Sequence, residues 1–273
     1  MIAGVELPWL PAAGVAVLGV VGLVIGSFLN VVVWRVPRGE SIVTPPSACP
    51  RCGHRIRARD NVPVLSWLWL RGRCRDCAAP IARRYPLVEL TTGVLFALVG
   101  VRIGWAPELP AYLYLASIGL ALALIDLDTH RLPNPIVLPA YPALAVLLGA
   151  AAWASGDWSA LLRAAIGGAV LWVVYFLLLL VKPGAMGFGD VKLAGVLGAA
   201  MAWLGWGALV VGAFAAFLLG GLYGIGLIVA KRGSRTSKVP FGPWMVLGAA
   251  LGVAAGEGLW SGYLDLIART AGS

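Results

Sequence analysis

From Leu193 to Val229 the chain contains no charged residue, and Leu171 to Val181 is almost free of polar atoms. Runs of this kind have no place on the surface of a water-soluble fold. A helix that is apolar all round is either enclosed by other helices or faces lipid. A continuous apolar stretch of about 20 residues is the length that crosses a bilayer. Composition agrees: 60% of the 273 residues are hydrophobic, 12% are charged, and mean hydropathy is +0.88. A soluble domain carries roughly 25% charged residues. The chain is therefore expected to be an all-α integral membrane protein in contact with a lipid bilayer.

Taken in order, the apolar segments give about eight transmembrane helices. They run from about Ala12 to Trp34, Leu87 to Ile103, Ala111 to Ile125, Pro135 to Trp153, and Ser159 to Val181. Val191 to Ala230 is too long for one span and divides near Gly205-Trp206-Gly207, and the last span covers about Phe241 to Tyr263. Gly22/Gly26 and Gly248/Gly252/Gly256 place small residues on one helix face, where neighbouring backbones can meet. The expected division is a first transmembrane helix over 1–34, a polar segment over 35–86, and a seven-helix core over 87–273.

Positive charge orients the chain. Residues 35–86 carry 11 arginines against Glu40, Asp60 and Asp76. Together with the segments around Arg131, around Lys182 and Lys192, and over 231–238, they hold 18 of the 21 Lys and Arg residues. Basic loops stay in the cytoplasm, so the N-terminus is expected outside and these segments inside. In a soluble chain such an excess would point to nucleic acid; here membrane topology accounts for it, and no nucleic-acid partner is expected. The first 20 residues contain Glu6 and no Lys or Arg, so no cleavable signal peptide is expected.

Two acids stand at the inner edge of apolar runs. Asp190 ends the turn Met186-Gly187-Phe188-Gly189-Asp190, whose glycines permit unusual backbone conformations or a close approach. Taken alone, Asp190 reads equally well as a solvated carboxylate starting a helix. Asp126 changes the balance, because the predicted topology puts it at the same depth on the same side. Ionisable residues in such settings are functional by default. Two neighbouring carboxyl groups titrate as a pair; one can act as general base on water while its protonated partner polarises a peptide carbonyl. Coupled ion or proton transport uses similar pairs, so the chemistry alone leaves both open. Asp128, two residues on, would face another direction and is expected in solvent. His130 reads as an exposed loop residue, and Lys182 and Lys192 as reaching to lipid headgroups.

All four cysteines lie in the polar segment, as Cys49-x2-Cys52 and Cys74-x2-Cys77. Two such pairs complete a tetrahedral thiolate site for Zn²⁺, and disulfides are disfavoured in a reducing cytoplasm. The expectation is a structural zinc that staples a small cytoplasmic insertion after the first helix and supplies much of its folding energy. His54 is expected to be a surface residue, not a ligand.

Several motifs in order carry a family resemblance. Met186-Gly187-Phe188-Gly189-Asp190-Val191-Lys192-Leu193 resembles the Gly-x-Gly-Asp motif of type IV prepilin peptidases, which are membrane aspartic proteases. Ile125-Asp126, followed by Leu132-Pro133-Asn134, is similar to that family's other aspartate motif. Gly26-Ser27-Phe28-Leu29-Asn30, Pro240-Phe241-Gly242-Pro243, Asn61-Val62-Pro63-Val64-Leu65-Ser66-Trp67 and Arg83-Arg84-Tyr85-Pro86-Leu87-Val88-Glu89 also match. The resemblance implies that Asp126 and Asp190 are the catalytic pair, supported by Gly187, Gly189, Pro133 and Asn134. It implies removal of the short basic leader of prepilins and pseudopilins, cut after a Gly at the cytoplasmic face of a bacterial inner membrane. Members with the cysteine segment usually also N-methylate the new N-terminal residue with S-adenosylmethionine. Where the family commonly has Gly-Lys before the third cysteine this chain has Gly72-Arg73, the candidates for contact with the methyl donor. Two other readings stand beside this one. A transporter using the same aspartates predicts acids nearer the bilayer midplane, and a membrane-anchored zinc-ribbon adaptor predicts that the aspartates are dispensable.

Overall fold

The computed structural model describes residues 11–182, 184, 186–230 and 239–271. Among them run nine α-helices: α1 (Ala12–Arg35), α2 (Leu65–Trp69), α3 (Arg84–Ile103), α4 (Leu109–Thr129), α5 (Asn134–Ser155), α6 (Trp158–Val181), α7 (Phe188–Leu204), α8 (Trp206–Val229) and α9 (Gly242–Ala271). No β-strand occurs among the described residues. The expected basic loop over 231–238 lies outside them. All of the helices except α2 and α7 are long and apolar enough to cross a membrane, seven in number. This is a multi-pass helical membrane protein.

The eighth expected span is α7, and it differs from the others. Its 17 residues rise about 25 Å, at the lower limit for a hydrocarbon core of roughly 30 Å. Twelve of the 17 are buried. It is charge-free beyond Lys192 because α5, α6, α8 and α9 surround it, not because lipid does.

The chain forms two compact units, Met1–Ala121 and Leu122–Ser273. In the first, α1 packs along α3. A Cβ on Gly22 would lie 2.7 Å from the Thr92 carbonyl oxygen, and one on Gly26 2.6 Å from Glu89 Cα. No larger residue fits, so this glycine pair acts as the close-contact face expected of it. The cysteine segment is thus an insertion between two paired helices. In the second unit the same device joins α8 to α9, where a Cβ on Gly248 would lie 2.5 Å from the Gly212 carbonyl oxygen.

The two helix ends that meet at Gly205 are satisfied by side chains from other helices. At the C-terminus of α7 the Arg163 guanidinium of α6 donates to the carbonyls of Ala202 and Trp203, each at 2.6 Å. Across the Gly205 break, Glu257 of α9 accepts the Ala208 N–H at the start of α8, at 3.0 Å. A cation at a helix C-terminus and an anion at an N-terminus both complement the helix dipole. The N-terminal end of α7 carries Asp190.

Candidate active site

Asp190 is the third residue of α7. Its Oδ2 accepts the Gly187 N–H at 2.8 Å, and its own N–H donates to the Gly187 carbonyl at 3.1 Å. Asp126 lies in the last turn of α4, which ends where His130 turns into the left-handed region at φ 52°. Asp126 Oδ2 accepts the N–H of Gly242, the first residue of α9, at 2.9 Å. The two aspartates are 4% and 7% exposed, among the few buried charged residues described. Each takes an N–H from the start of a helix, where backbone donors and the helix dipole favour an anion.

Leu132 places the acids relative to each other. A Cβ on Gly189 would meet Leu132 Cβ at 2.9 Å, and one on Gly242 would meet Leu132 Cδ2 at 3.3 Å. The same Gly242 Cβ would stand 2.9 Å from Asp126 Oδ2. One leucine therefore separates the backbones that border the two carboxyls. Behind the Gly242 turn lie Tyr175, Phe217 and Phe241, with ring centroids 5.2 to 6.2 Å apart. Two buried acids held by backbone donors on one floor can activate a water and protonate a carbonyl oxygen.

The two motif glycines act differently from each other. Gly189 is required by its approach to Leu132. Gly187 has φ −85°, open to any residue, and a Cβ there would have no contact closer than Asp190 Oδ2 at 3.5 Å. The expectation of a special backbone at Gly187 does not hold; its bare face opens onto the carboxyl instead.

Pro133 caps α5 and Asn134 begins it. Lys192, expected to reach toward headgroups, instead donates to Asn134 Oδ1 at 2.9 Å, and its carbonyl accepts from the Tyr141 hydroxyl at 2.6 Å. This pins α7 to α5 beside the acids. Asp128 and His130 are exposed. Sequence reading missed the roles of Leu132, Gly242 and Lys192. The Phe241-Gly242-Pro243 turn was the one available signal, a glycine beside a proline that opens a helix.

In the first unit, the two Cys-x2-Cys turns fold alike. Cys49 and Cys74 each donate an N–H to the carbonyl five residues on (His54 and Ala79, 2.9 and 2.8 Å), and each accepts from the residue four on, Gly53 and Ala78. Those residues are left-handed, at φ 72° and 55°. The bridges Ala48–Arg55 and Arg73–Pro80 close the two turns. The four Sγ atoms lie within 4.8 Å of one another, and Cys49 and Cys77 Sγ are 3.8 Å apart. Zn–S bonds of about 2.3 Å in a tetrahedron require S–S edges of about 3.8 Å, so the cluster fits a zinc ion. The N–Hs of Cys52 and Arg51 pull the Cys49 thiol down to about 6. At Cys52 the His54 N–H also pulls downward, but lost hydration and the three neighbouring thiols push the group up to about 12. Four thiols this close do not ionise together without a cation among them.

Gly72 and Arg73 sit at the base of the second turn. A Cβ on Gly72 would meet the Trp67 ring at 2.8 Å, and Arg73 is exposed. The indole fills the space over Gly72, so the position takes no larger side chain.

The family model described as Type IV leader peptidase family matches residues 113–225, and that of the Bacterial Peptidase A24 N-terminal domain matches residues 20–103. Two relatives named Prepilin leader peptidase/N-methyltransferase come from Aeromonas. That of Aeromonas salmonicida is 39% identical over 96% of each chain, and that of Aeromonas hydrophila 40% identical over 94% of this chain and 95% of its own. One of the same name from Myxococcus xanthus is 44% identical over 81% of this chain and 66% of its own. No solved structure matches the chain.

Proposed function

The chain belongs to the type IV leader peptidase family, and from that membership we propose that it is the membrane aspartic endopeptidase that removes the leader of type IV prepilins and pseudopilins. Asp126 and Asp190 are its catalytic pair. The observation that carries this reading is that two buried acids, from motifs far apart in the chain, are each held by the N–H at a helix start on either side of Leu132.

One aspartate takes a proton from water as the water oxygen attacks the scissile carbonyl carbon. Its protonated partner gives a proton to the carbonyl oxygen. When the tetrahedral intermediate collapses, the C–N bond breaks, the leaving nitrogen takes a proton from the first carboxyl, and one hydroxyl of the intermediate returns its proton to the second. Gly242 and Gly187 N–H groups hold both carboxyls in place throughout, and preorganised donors of this kind cost no rearrangement during reaction. The bare face of Gly187 leaves room for the substrate backbone.

The enzyme sits in the bacterial inner membrane with its N-terminus outside and the acids at the cytoplasmic face, a reading supported by the clustering of Lys and Arg in the segments assigned to that side. A zinc ion held by Cys49, Cys52, Cys74 and Cys77 cross-links the two turns and has a structural role. The relatives' shared name extends the activity to N-methylation of the new N-terminus, with S-adenosylmethionine as the methyl source. No residue here is assigned to that donor. The test is purified protein in nanodiscs with a prepilin and S-adenosylmethionine, read by mass spectrometry of the substrate N-terminus. A leaderless, methylated product is expected. Intact prepilin with every substrate tried would contradict the proposal.

A further inference from the structure

The short helix α2 is inside out for a water-exposed segment. Its buried position is polar: Ser66 Oγ donates to the Arg59 carbonyl at 3.0 Å and accepts the Val62 N–H at 2.9 Å. Its outward face is apolar, with Leu65, Leu68 and Trp69 at 60%, 58% and 85% exposure. That spacing of three and four residues makes one helix face. These side chains are as uncovered as Val17 and Leu98 on the membrane-crossing helices, at 60% and 58%. Contiguous exposed apolar groups mark an interaction surface.

Two observations indicate what covers it. The first is depth. Val64, which caps α2, donates its N–H to Glu89 Oε2 at 2.6 Å. Glu89 is five residues past the start of α3, or about 7.5 Å along that helix. α2 is thereby tied beside the first turns of a membrane-crossing helix, at the level of the headgroups. The insertion is also tethered at both ends, by α1 and by α3, with Asn30 Nδ2 donating to the Tyr85 carbonyl at 3.2 Å to hold the two helices together there. The second is charge. The segment from 35 to 86 carries 11 arginines against three acids, and Arg71 and Arg73, just beyond α2, are exposed. Trp at the interface with basic residues beside it is the pattern of a segment resting in an anionic leaflet.

We propose that the Leu65, Leu68 and Trp69 face of α2 inserts into the bilayer interface and seats the cysteine-bearing insertion against anionic phospholipid headgroups. The seat depends on the depth of α3, and not on which reaction the acids perform. The test places a photo-crosslinking diazirine amino acid at position 69 of the full chain, in nanodiscs containing phosphatidylglycerol, with the same probe at Leu98 as the lipid-facing reference. Zinc content and cleavage activity confirm that the probe variants are folded. Lipid adducts at 69 of the same order as those at 98 are expected. Adducts to water or to protein at 69, with lipid adducts at 98, would overturn the proposal. Adducts formed only on added prepilin would overturn it as well, by making the face a substrate contact.

Discussion

Gly187 and Gly189 are neighbours in one motif, yet the structure separates their duties. An alanine at 189 would drive its methyl into Leu132, and overpacking of this sort costs about 1–3 kcal/mol. Gly189→Ala should therefore lower the melting temperature and displace the turn that carries Asp190. Gly187→Ala should fold and melt nearly as wild type, because its φ of −85° and its surroundings accept a methyl. That methyl would stand in the open space facing Asp190, so cleavage should fall by about a hundredfold, the loss that follows from a small misplacement of reacting groups. Thermal melts and cleavage rates of the two variants check both statements. Unchanged stability in the first, or retained activity in the second, would contradict the assignment. Lys192→Met should cost about 1 kcal/mol through the lost bond to Asn134, with the effect seen in stability before activity.

The helices were legible from hydropathy because their period and length survive any packing arrangement, and the Gly205 break was legible because a charge-free run of that length exceeds one span. α7 reads as one span among eight because an enclosed helix and a lipid-facing helix look alike in an apolar sequence. Leu132 between two glycines, Lys192 on Asn134 and Val64 on Glu89 were not legible, since each joins residues far apart in sequence through a geometry that only the packed helices create. The cysteine turns lie at the other extreme: spacing alone predicted them, and the structure adds their matched hydrogen bonds. Replacing Cys49 and Cys77 with Ser should release zinc and unfold the insertion, and chelation of the wild type should do the same. Acid acts in the same direction. Thiolate ligands must be deprotonated, so zinc-linked stability is present at neutral pH and is lost as pH falls. Asp60, whose carboxyl is held below its usual range by a hydrogen bond from Arg75, likewise contributes above its ordinary range and loses that contribution on acidification. Metal release followed against pH should show loss on the acid side; release on raising the pH from neutrality would contradict the thiolate site.

Across the molecule, the acids occupy one end of the second unit, where α4 ends and α7 and α9 begin, while Arg163 and Glu257 close its other end. Function at one face therefore requires a fixed orientation. Alkaline phosphatase inserted at Gly156 should be active, on the periplasmic side, and inserted at Gly39 inactive; the reverse pattern would invert the topology. The transporter and adaptor alternatives fail or survive on the acids themselves. The measurement that bears on them most directly is prepilin cleavage by Asp126→Asn, Asp190→Asn and Asp128→Asn proteins, each with its zinc content and melting temperature confirmed. The dyad predicts no detectable cleavage by the first two and near-normal cleavage by the third. Normal cleavage by either of the first two variants would contradict it.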